Sequence, residues 1–117
     1  MKAKLVEFGL LEVEGERYRK DVVIEAGRVR KRDKGPSKAL VPKWRHTPLT
    51  VAEEIPWGGK RLIIGTGAKG QLPIDPAVYE EAARRGVVVE ALPTTEACHR
   101  ITDVKREVVW AILHVTC

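Results

Sequence analysis

The first third of the chain alternates short apolar runs with glycine-containing turns. Apolar or alternating runs of strand length lie at residues 5–8, 11–13, 18–19, 22–24 and 29–30. Gly15 and Gly27 each separate two of these runs, and glycine readily adopts the positive φ that tight hairpin turns require. Residues 1–34 are therefore predicted to form an antiparallel β meander.

Residues 35–60 are predicted to form a loop and one short helix. The Gly-Pro pair at the start of this segment is typical of a loop. Thr47 precedes a proline, as residues at helix N-termini often do. Thr50 and Glu53 have the spacing of a capping box, and a second proline ends the predicted helix at residue 56.

From residue 61 onward, the pattern alternates between apolar strands and amphipathic helices. The predicted order is a strand at 62–64, a helix from Asp75 to Gly86, a strand at 87–92, a helix capped by Thr94 and a strand at 108–113. Strands joined by helices in this way run parallel, with right-handed crossovers.

These strands are apolar on both faces, so both faces of the sheet must be covered. We expect the two helices to cover one face and the meander to cover the other. The predicted fold class is α/β, a three-layer β/β/α arrangement in which the meander packs on a three-stranded parallel β-α-β-α-β core. One domain, residues 1–117, comprises the meander (1–34), the loop and short helix (35–60) and the β-α-β-α-β unit (61–117).

Composition agrees with a single globular domain. The chain has 117 residues, of which 44% are hydrophobic and 32% are charged. Its two cysteines have no metal-binding spacing, and no apolar run approaches the about 20 residues that a membrane span needs. We therefore expect a cytoplasmic protein with no membrane contact, no metal and no cofactor. The absence of Asn, together with a single Gln, indicates a thermophilic source.

The net charge of +5 is concentrated in residues 28–46, where eight basic residues accompany one acid. This stretch predicts a docking surface for an acidic protein, a phosphate or nucleic acid, or else a strand edge kept soluble by its charge. Nucleic acid is the least favoured partner, because aromatic residues make up only 5% of the chain. The residues expected on an interaction surface are Arg28, Arg30, Arg32, Arg45 and Trp57.

The carboxyl ends of the predicted parallel strands form a candidate ligand-binding edge. Open α/β folds bind ligands at this edge, and free N–H groups at helix N-termini favour an anion there. The glycine loop at residues 65–70 partly matches a dinucleotide fingerprint, but residues 71–74 separate it from its helix, so a structural turn also fits. The candidate ligand-binding residues are His46, Thr47, Gly65, Thr66, Gly67, Gly70, Pro93 and Thr94.

The remaining polar residues give no catalytic constellation. His114 falls in an apolar strand, where a structural histidine with satisfied hydrogen bonds is the usual outcome. A Cys117 thiol paired with His114 or His46 is set aside, because a terminal residue lacks the scaffold that preorganises a nucleophile. Glu53 and Glu54 have the placement of helix-surface charges. No catalytic residue is assigned.

A series of motifs in fixed order resembles one protein family. The motifs are Ser37-Lys38, His46-Thr47-Pro48-Leu49-Thr50, Leu62-Ile63-Ile64-Gly65-Thr66-Gly67 with Gly70, Pro93-Thr94 with Ala97, and Ala111-Ile112-Leu113-His114-Val115-Thr116-Cys117. The chain resembles, over almost its whole length, a small domain of unknown function found in archaea and bacteria. That domain also occurs in the human adipogenesis-associated domain protein and in a mitochondrial complex I assembly factor. The resemblance implies a three-layer β/β/α fold and a role in protein assembly, and it brings no catalytic residues.

These observations give three functional hypotheses. The first is a non-catalytic protein, a monomer or weak homodimer, that acts through a protein partner or assembly and binds a small anion at the sheet edge. The second is an enzyme acting on a phosphorylated or carboxylated metabolite near His46, Thr66 and Thr94. The third is non-specific nucleic-acid binding by the basic stretch.

Overall fold

The computed structural model describes residues 1–40 and 47–117. Its strands are β1 (Ala3–Glu7), β2 (Leu10–Val13), β3 (Glu16–Tyr18), β4 (Val22–Glu25), β5 (Arg28–Lys31), β6 (Arg61–Gly65), β7 (Val88–Leu92) and β8 (Trp110–Leu113). Its helices are α1 (Gly35–Leu40), α2 (Pro76–Arg85) and α3 (Thr94–Thr102), and a 3-10 helix spans Arg106–Val108. Within these two described ranges, no helix has the length and apolar character needed to cross a membrane.

The strands form two sheets, which divide the chain differently from the sequence prediction. β1, β2 and β3 form a small antiparallel sheet, whereas β4 and β5 leave the predicted meander and join a larger sheet. The large sheet has the order β5-β4-β8-β6-β7, in which β6 runs parallel to β7 and β8. β4 is antiparallel to both β5 and β8. The predicted three-stranded parallel core is therefore only the parallel part of a five-stranded mixed sheet.

The burial of β4 explains its place in the large sheet. Val22, Val23 and Ile24 point alternately to the two faces, and each is at most 2% exposed. A strand that is apolar on both faces is stable where other elements pack on both faces of its sheet. An interior position in the large sheet provides this burial. β4 accordingly pairs with β8, where Ile24 lies opposite Ala111, and it does not pair with its chain neighbour β3.

The two longer helices lie on opposite faces of the large sheet, which corrects the prediction that both cover one face. Val78 of α2 belongs to the core cluster that contains Leu62 and Ile64. α3 belongs to the other cluster, with Ile63 and with residues of the small sheet. The chain crosses from β6 to β7 and then returns to β8 on the other side of β6. Because both crossovers are right-handed, this reversal places the helices on opposite faces.

The connection between β5 and β6 differs most from the prediction. α1 forms at the Gly-Pro pair that indicated a loop, since proline is well tolerated in the first turn of a helix. Asp33 Oδ1 accepts the Gly35 N–H at 3.0 Å just before this helix. The helix predicted at 47–56 does not form. Leu49 instead forms a parallel β-bridge with Ile74, which commits its backbone to a partner distant in the chain.

α2 confirms the prediction of a helix between Asp75 and Gly86. Asp75 Oδ1 accepts the N–H of Ala77 at 2.9 Å, and a proline occupies the first helical turn. Gly86 ends the helix in the left-handed conformation, with φ of 68°. These start and stop signals act within a few residues, so the sequence alone is sufficient to place this helix.

The two free cysteines are expected to differ in reactivity. Cys98 lies on the buried face of α3, and burial raises the pKa of its thiol to about 11, whereas Cys117 is half-buried. A chromogenic disulfide reagent at mildly alkaline pH should therefore modify Cys117 rapidly and Cys98 only at the rate at which the core opens. Cys117→Ser should abolish the rapid phase, and two rapid phases in the unmodified chain would contradict this placement of Cys98.

Candidate functional site

The structure brings together the two loops predicted to form the ligand-binding edge, and it bonds them to each other. The Gly67 N–H donates to Thr94 Oγ1 at 2.8 Å, and the Thr94 N–H donates to the Gly67 carbonyl at 3.0 Å. The Thr94 hydroxyl donates in turn to the His114 carbonyl at 2.6 Å. Thr94 is fully buried. The sequence predicted that Thr94 caps α3, and this is wrong, because Pro93 occupies the capping position.

The chain's own backbone after β8 occupies the position expected for a ligand at this edge. The Ala68 N–H donates to the Thr116 carbonyl at 2.8 Å, and the N–H groups of Lys69 and Gln71 donate to the Cys117 carbonyl. Gly67 has φ of 107°, and a Cβ atom there would overlap the backbone of residues 116–117. The glycine loop therefore permits a close backbone approach, as expected, but the group it approaches is part of the same chain.

The other predicted ligand-binding residues lie at different depths. Gly65 and Thr66 are buried, Pro93 and Thr47 are half-buried, and Gly70 is exposed beside Pro93. His46 lies outside the described residues.

The residues predicted to form an interaction surface also do not share one environment. Arg28 is exposed, while Arg30 is half-buried and forms an ion pair with Glu25 at 2.7 Å. Trp57 is half-buried, and the Arg85 guanidinium lies over its ring at 5.4 Å from the centroid. Arg45 lies outside the described residues. Their role in binding a partner stays a prediction.

Arg32 departs most from its predicted position on the surface, because its side chain is only 1% exposed. Its Nε and Nη2 donate to the two carboxylate oxygens of Glu53 at 2.7 and 2.8 Å, and its Nη1 donates to Asp21 at 2.9 Å. A guanidinium held by two carboxylates can be buried because its charge and its donors are both matched. Arg32, Asp21 and Glu53 are called the buried ion network below.

Two hydroxyl groups complete the Glu53 side of the buried ion network. Ser37 Oγ lies 2.5 Å from Glu53 Oε2 and 2.8 Å from Thr50 Oγ1. An ionised carboxylate only accepts hydrogen bonds, so Ser37 donates to Glu53 and Thr50 donates to Ser37. Glu53 is thus a buried partner of Arg32 and not the helix-surface charge that its spacing suggested. The Thr50 hydroxyl forms its hydrogen bond with Ser37 of α1 and does not cap the helix that the sequence predicted at 47–56.

Asp21 makes three hydrogen bonds in the interior. Besides the bond from Arg32, its Oδ2 accepts from His114 Nδ1 at 2.7 Å and its Oδ1 accepts from the Val115 N–H at 3.0 Å. Burial alone would raise the pKa of this carboxyl, but its hydrogen bonds with His114, Val115 and Arg32 outweigh burial and hold the pKa below its ordinary value. Burial likewise opposes the charge of Arg32, yet Glu53 and Asp21 raise its pKa.

A cleft of about 400 Å³ opens beside the buried ion network. Asp21 and Arg32 line its interior, and Val115 and Thr116 form one wall. Four exposed basic side chains from two segments surround it: Arg19 and Lys20 before β4, and Lys34 and Lys38 at α1. We call this feature the basic cleft.

The charge around the basic cleft is poorly compensated. Asp33 is the one acid that accompanies the four cations at its rim, and its Oδ1 already accepts the Gly35 N–H. Across residues 1–40 and 47–117, none of the four cations forms an ion pair. The same described ranges contain no cluster of His, Cys, Asp or Glu suited to a metal ion. The rim of the basic cleft therefore carries an excess of positive charge.

Replacing Arg32 tests the buried ion network. Arg32→Met leaves the carboxylates of Asp21 and Glu53 buried without their cation, and we expect it to lower the free energy of unfolding by roughly 3–5 kcal/mol. Arg30→Met is the matched control, because it removes a half-exposed ion pair and should cost less than about 1 kcal/mol. Urea unfolding of both variants measures the difference, and equal losses would contradict the buried role of Arg32.

The lowered pKa of Asp21 predicts a pH-dependent stability. The unfolded carboxyl takes up its proton at a higher pH than the folded one, so the contribution is complete above the unfolded pKa and is lost as pH falls through the folded pKa. Between the two pKa values Asp21 contributes a slope of up to about 1.4 kcal/mol per pH unit.

Urea unfolding between about pH 2 and pH 6 tests this linkage. Asp21→Asn should be less stable throughout but should show a flatter acid limb, because the group that titrates has been removed. Asp103→Asn changes an exposed carboxyl and should keep the original slope. An unchanged slope in Asp21→Asn would assign the acid sensitivity to other groups.

Two solved structures are similar to this chain over almost its whole length. The conserved hypothetical protein PH1505 from Pyrococcus horikoshii OT3 has a crystal structure with a TM-score of 0.83 and 28% identity to this chain, and 100% of each chain is covered. A structure named MT938 has a TM-score of 0.69 at 27% identity and covers 95% of this chain and 94% of its own. No curated protein matches the chain. The model of one family matches residues 4–114. The chain therefore belongs to the family described as "Protein of unknown function (DUF498/DUF598)".

Proposed function

We propose that this protein binds a small anionic compound, one that carries a phosphate or carboxylate group, in the basic cleft. The observation that carries the proposal is the convergence of Arg19, Lys20, Lys34 and Lys38 on one cavity. Asp33 is the one acid at its rim, and Asp21 in its interior is already paired with Arg32. Held close together, these cations repel one another, and a bound anion relieves that repulsion.

The size of the basic cleft favours a small ligand over a macromolecule. Its volume of about 400 Å³ lies near the lower end of the range for small-molecule sites, roughly 300–1,000 Å³. A duplex or a protein partner would instead need a broad surface. Protein assembly and nucleic-acid binding, which the sequence also suggested, are supported less well by this geometry.

The rigid interior of the basic cleft suits ligand binding. Arg32 is fixed by Glu53 and Asp21, and Asp21 is tied to the chain after β8 through Val115. The cations of the rim extend from this framework, so only their flexible ends must be ordered when an anion binds. Binding that orders few groups loses less conformational entropy.

The anion site proposed here is not the one the sequence predicted, although the two are adjacent. The predicted edge lies at residues 65–70 and 93–97, where the backbone of residues 116–117 takes the place of a ligand. The opposite side of the same segment, Val115 and Thr116, lines the basic cleft. The segment after β8 therefore separates the filled edge from an open one.

Amide NMR titration of the labelled protein tests the proposal. Inorganic phosphate, succinate and a short oligonucleotide should be compared at one fixed salt concentration, because electrostatic affinities depend on salt. We expect phosphate or succinate to shift amides of residues 19–21, 33–38 and 115–116 in a saturable manner. Shifts caused by the oligonucleotide alone, or no shifts at millimolar anion, would contradict the proposal.

Two charge-matched variants make the titration specific. Lys20→Ala combined with Lys34→Ala removes two cations of the basic cleft and should weaken anion binding by about tenfold or more, equivalent to about 1.4 kcal/mol. Lys4→Ala combined with Lys105→Ala removes two exposed cations outside the basic cleft and should leave the Kd within about twofold. Equal weakening in both pairs would indicate a response to net charge and not to this cleft.

A further inference from the structure

A chain of three side chains connects Asp21, in the interior of the basic cleft, through the buried His114 to Thr116 in the cleft wall. Asp21 Oδ2 lies 2.7 Å from His114 Nδ1, and His114 Nε2 lies 3.3 Å from Thr116 Oγ1. Asp21 and His114 are both buried, at 9% and 6% exposed, whereas Thr116 is half-buried and lines the basic cleft. The Thr116 hydroxyl is therefore the most accessible of the three groups.

The hydrogen bonds of Asp21 fix the tautomer of His114. Asp21 accepts from Arg32 and from the Val115 N–H, which keeps it an ionised acceptor. His114 Nδ1 must then carry the proton that bonds to Asp21, so Nε2 of the neutral ring holds a lone pair. In this tautomer Nε2 accepts the hydrogen bond from the Thr116 hydroxyl, whose Oγ1 lies 3.3 Å away.

The backbone holds the three groups in place. The His114 N–H donates to the Gly65 carbonyl at 2.9 Å, and the Thr116 carbonyl accepts the Ala68 N–H at 2.8 Å. Between them, the Val115 N–H donates to Asp21. Each residue from 114 to 116 thus has a backbone bond to a different segment, and preorganisation of this kind is what a reacting hydroxyl requires.

We propose that Thr116 is a nucleophile for which His114 is the general base and Asp21 the positioning residue, and that the basic cleft holds an anionic carboxylic ester for attack by the Thr116 hydroxyl. This inference rests on the proposed anion-binding function, because the cations would bring the anionic part of the ester next to Thr116. A hydroxyl, an imidazole and a carboxylate linked in this order form the same relay that activates nucleophiles on unrelated folds.

The reaction balances with water as the only co-reactant. Thr116 Oγ forms a bond to the ester carbonyl carbon, its proton moves to His114 Nε2, and the bond from that carbon to the leaving oxygen breaks. The proton on Nε2 then passes to the leaving alkoxide, which departs as an alcohol. Water attacks the acyl-threonine in the second half, giving a proton to His114 and then to Thr116 Oγ, and releases the carboxylic acid.

An activated anionic ester tests the proposal directly. The full chain should release nitrophenolate from 4-nitrophenyl succinate in a burst, and mass spectrometry of peptides should locate the succinyl group on Thr116. The neutral ester 4-nitrophenyl butyrate should react more slowly, because it lacks the charge that the basic cleft binds. Labelling of Thr116 should increase with pH, as expected for a step that needs a general base, and a purely structural hydrogen bond would not produce this dependence.

Substitutions at Thr116 separate chemistry from folding. Thr116→Val keeps the shape but removes the hydroxyl, and it should reduce the initial rate of nitrophenolate release by roughly 100-fold or more. Thr116→Ser restores a hydroxyl and should restore acylation, while Thr95→Val changes an exposed threonine and should have no effect. Succinyl groups found only on lysines or on the N-terminal amine, or a Thr116→Val variant that reacts at the original rate, would overturn the proposal.

Succinate binding and acylation of Thr116 are measured separately, so one proposal can be contradicted without the other. Titration of the unmodified chain with unreactive succinate reports the proposed anion site without any contribution from acylation. Binding without acylation would overturn the nucleophile and leave the anion site in place. If neither the chain nor its variants bind succinate or phosphate, both the anion site and the Thr116 nucleophile are contradicted.

Discussion

The burial of the Arg32 guanidinium between the carboxylates of Asp21 and Glu53 is the interaction on which the segments around the basic cleft depend. Arg32 follows β5, Asp21 precedes β4, and Glu53 belongs to the irregular segment that replaces the predicted helix. Each of these charges would be expensive to bury alone, so the three segments must be present together. Ser37 and His114 extend the arrangement to α1 and to the end of β8. The walls of the basic cleft are thus positioned by the charges beneath them.

The sequence predicted those elements whose signals are local. α2 begins at an aspartate cap followed by proline and ends at a glycine in the left-handed conformation, and all three signals lie within the helix or beside it. The strand-helix-strand order after residue 61 also follows from runs that are apolar throughout. The mixed α/β architecture with parallel strands could therefore be predicted without any knowledge of tertiary contacts.

The misassigned elements are those whose partners lie far away in the chain. The neighbouring strands in the sequence predict that β4 belongs to the meander. Its residues are buried on both faces, however, and in the structure it pairs with β8 inside the large sheet. The helix at 47–56 had a plausible capping pattern, but Leu49 pairs with Ile74 and Glu53 pairs with Arg32. Local charge patterns indicate where charges are numerous and not which of them are buried. For the same reason the charge pattern predicts a surface position for Arg32, which the structure buries.

The position of β8 has a consequence for the way this chain folds. β8 lies between β4 and β6, so it separates the β4-β5 hairpin from the β6-β7 pair and joins them into one sheet. Val22 pairs with Leu113, and Asp21 bonds His114 across 93 residues of sequence, so the sheet forms only when a very long loop closes. Folding rates fall as contacts become more distant in sequence, so we expect this joining to be the slow step. Until it occurs, both inner strands have unpaired edges, and the period before closure is when the chain is most exposed to aggregation.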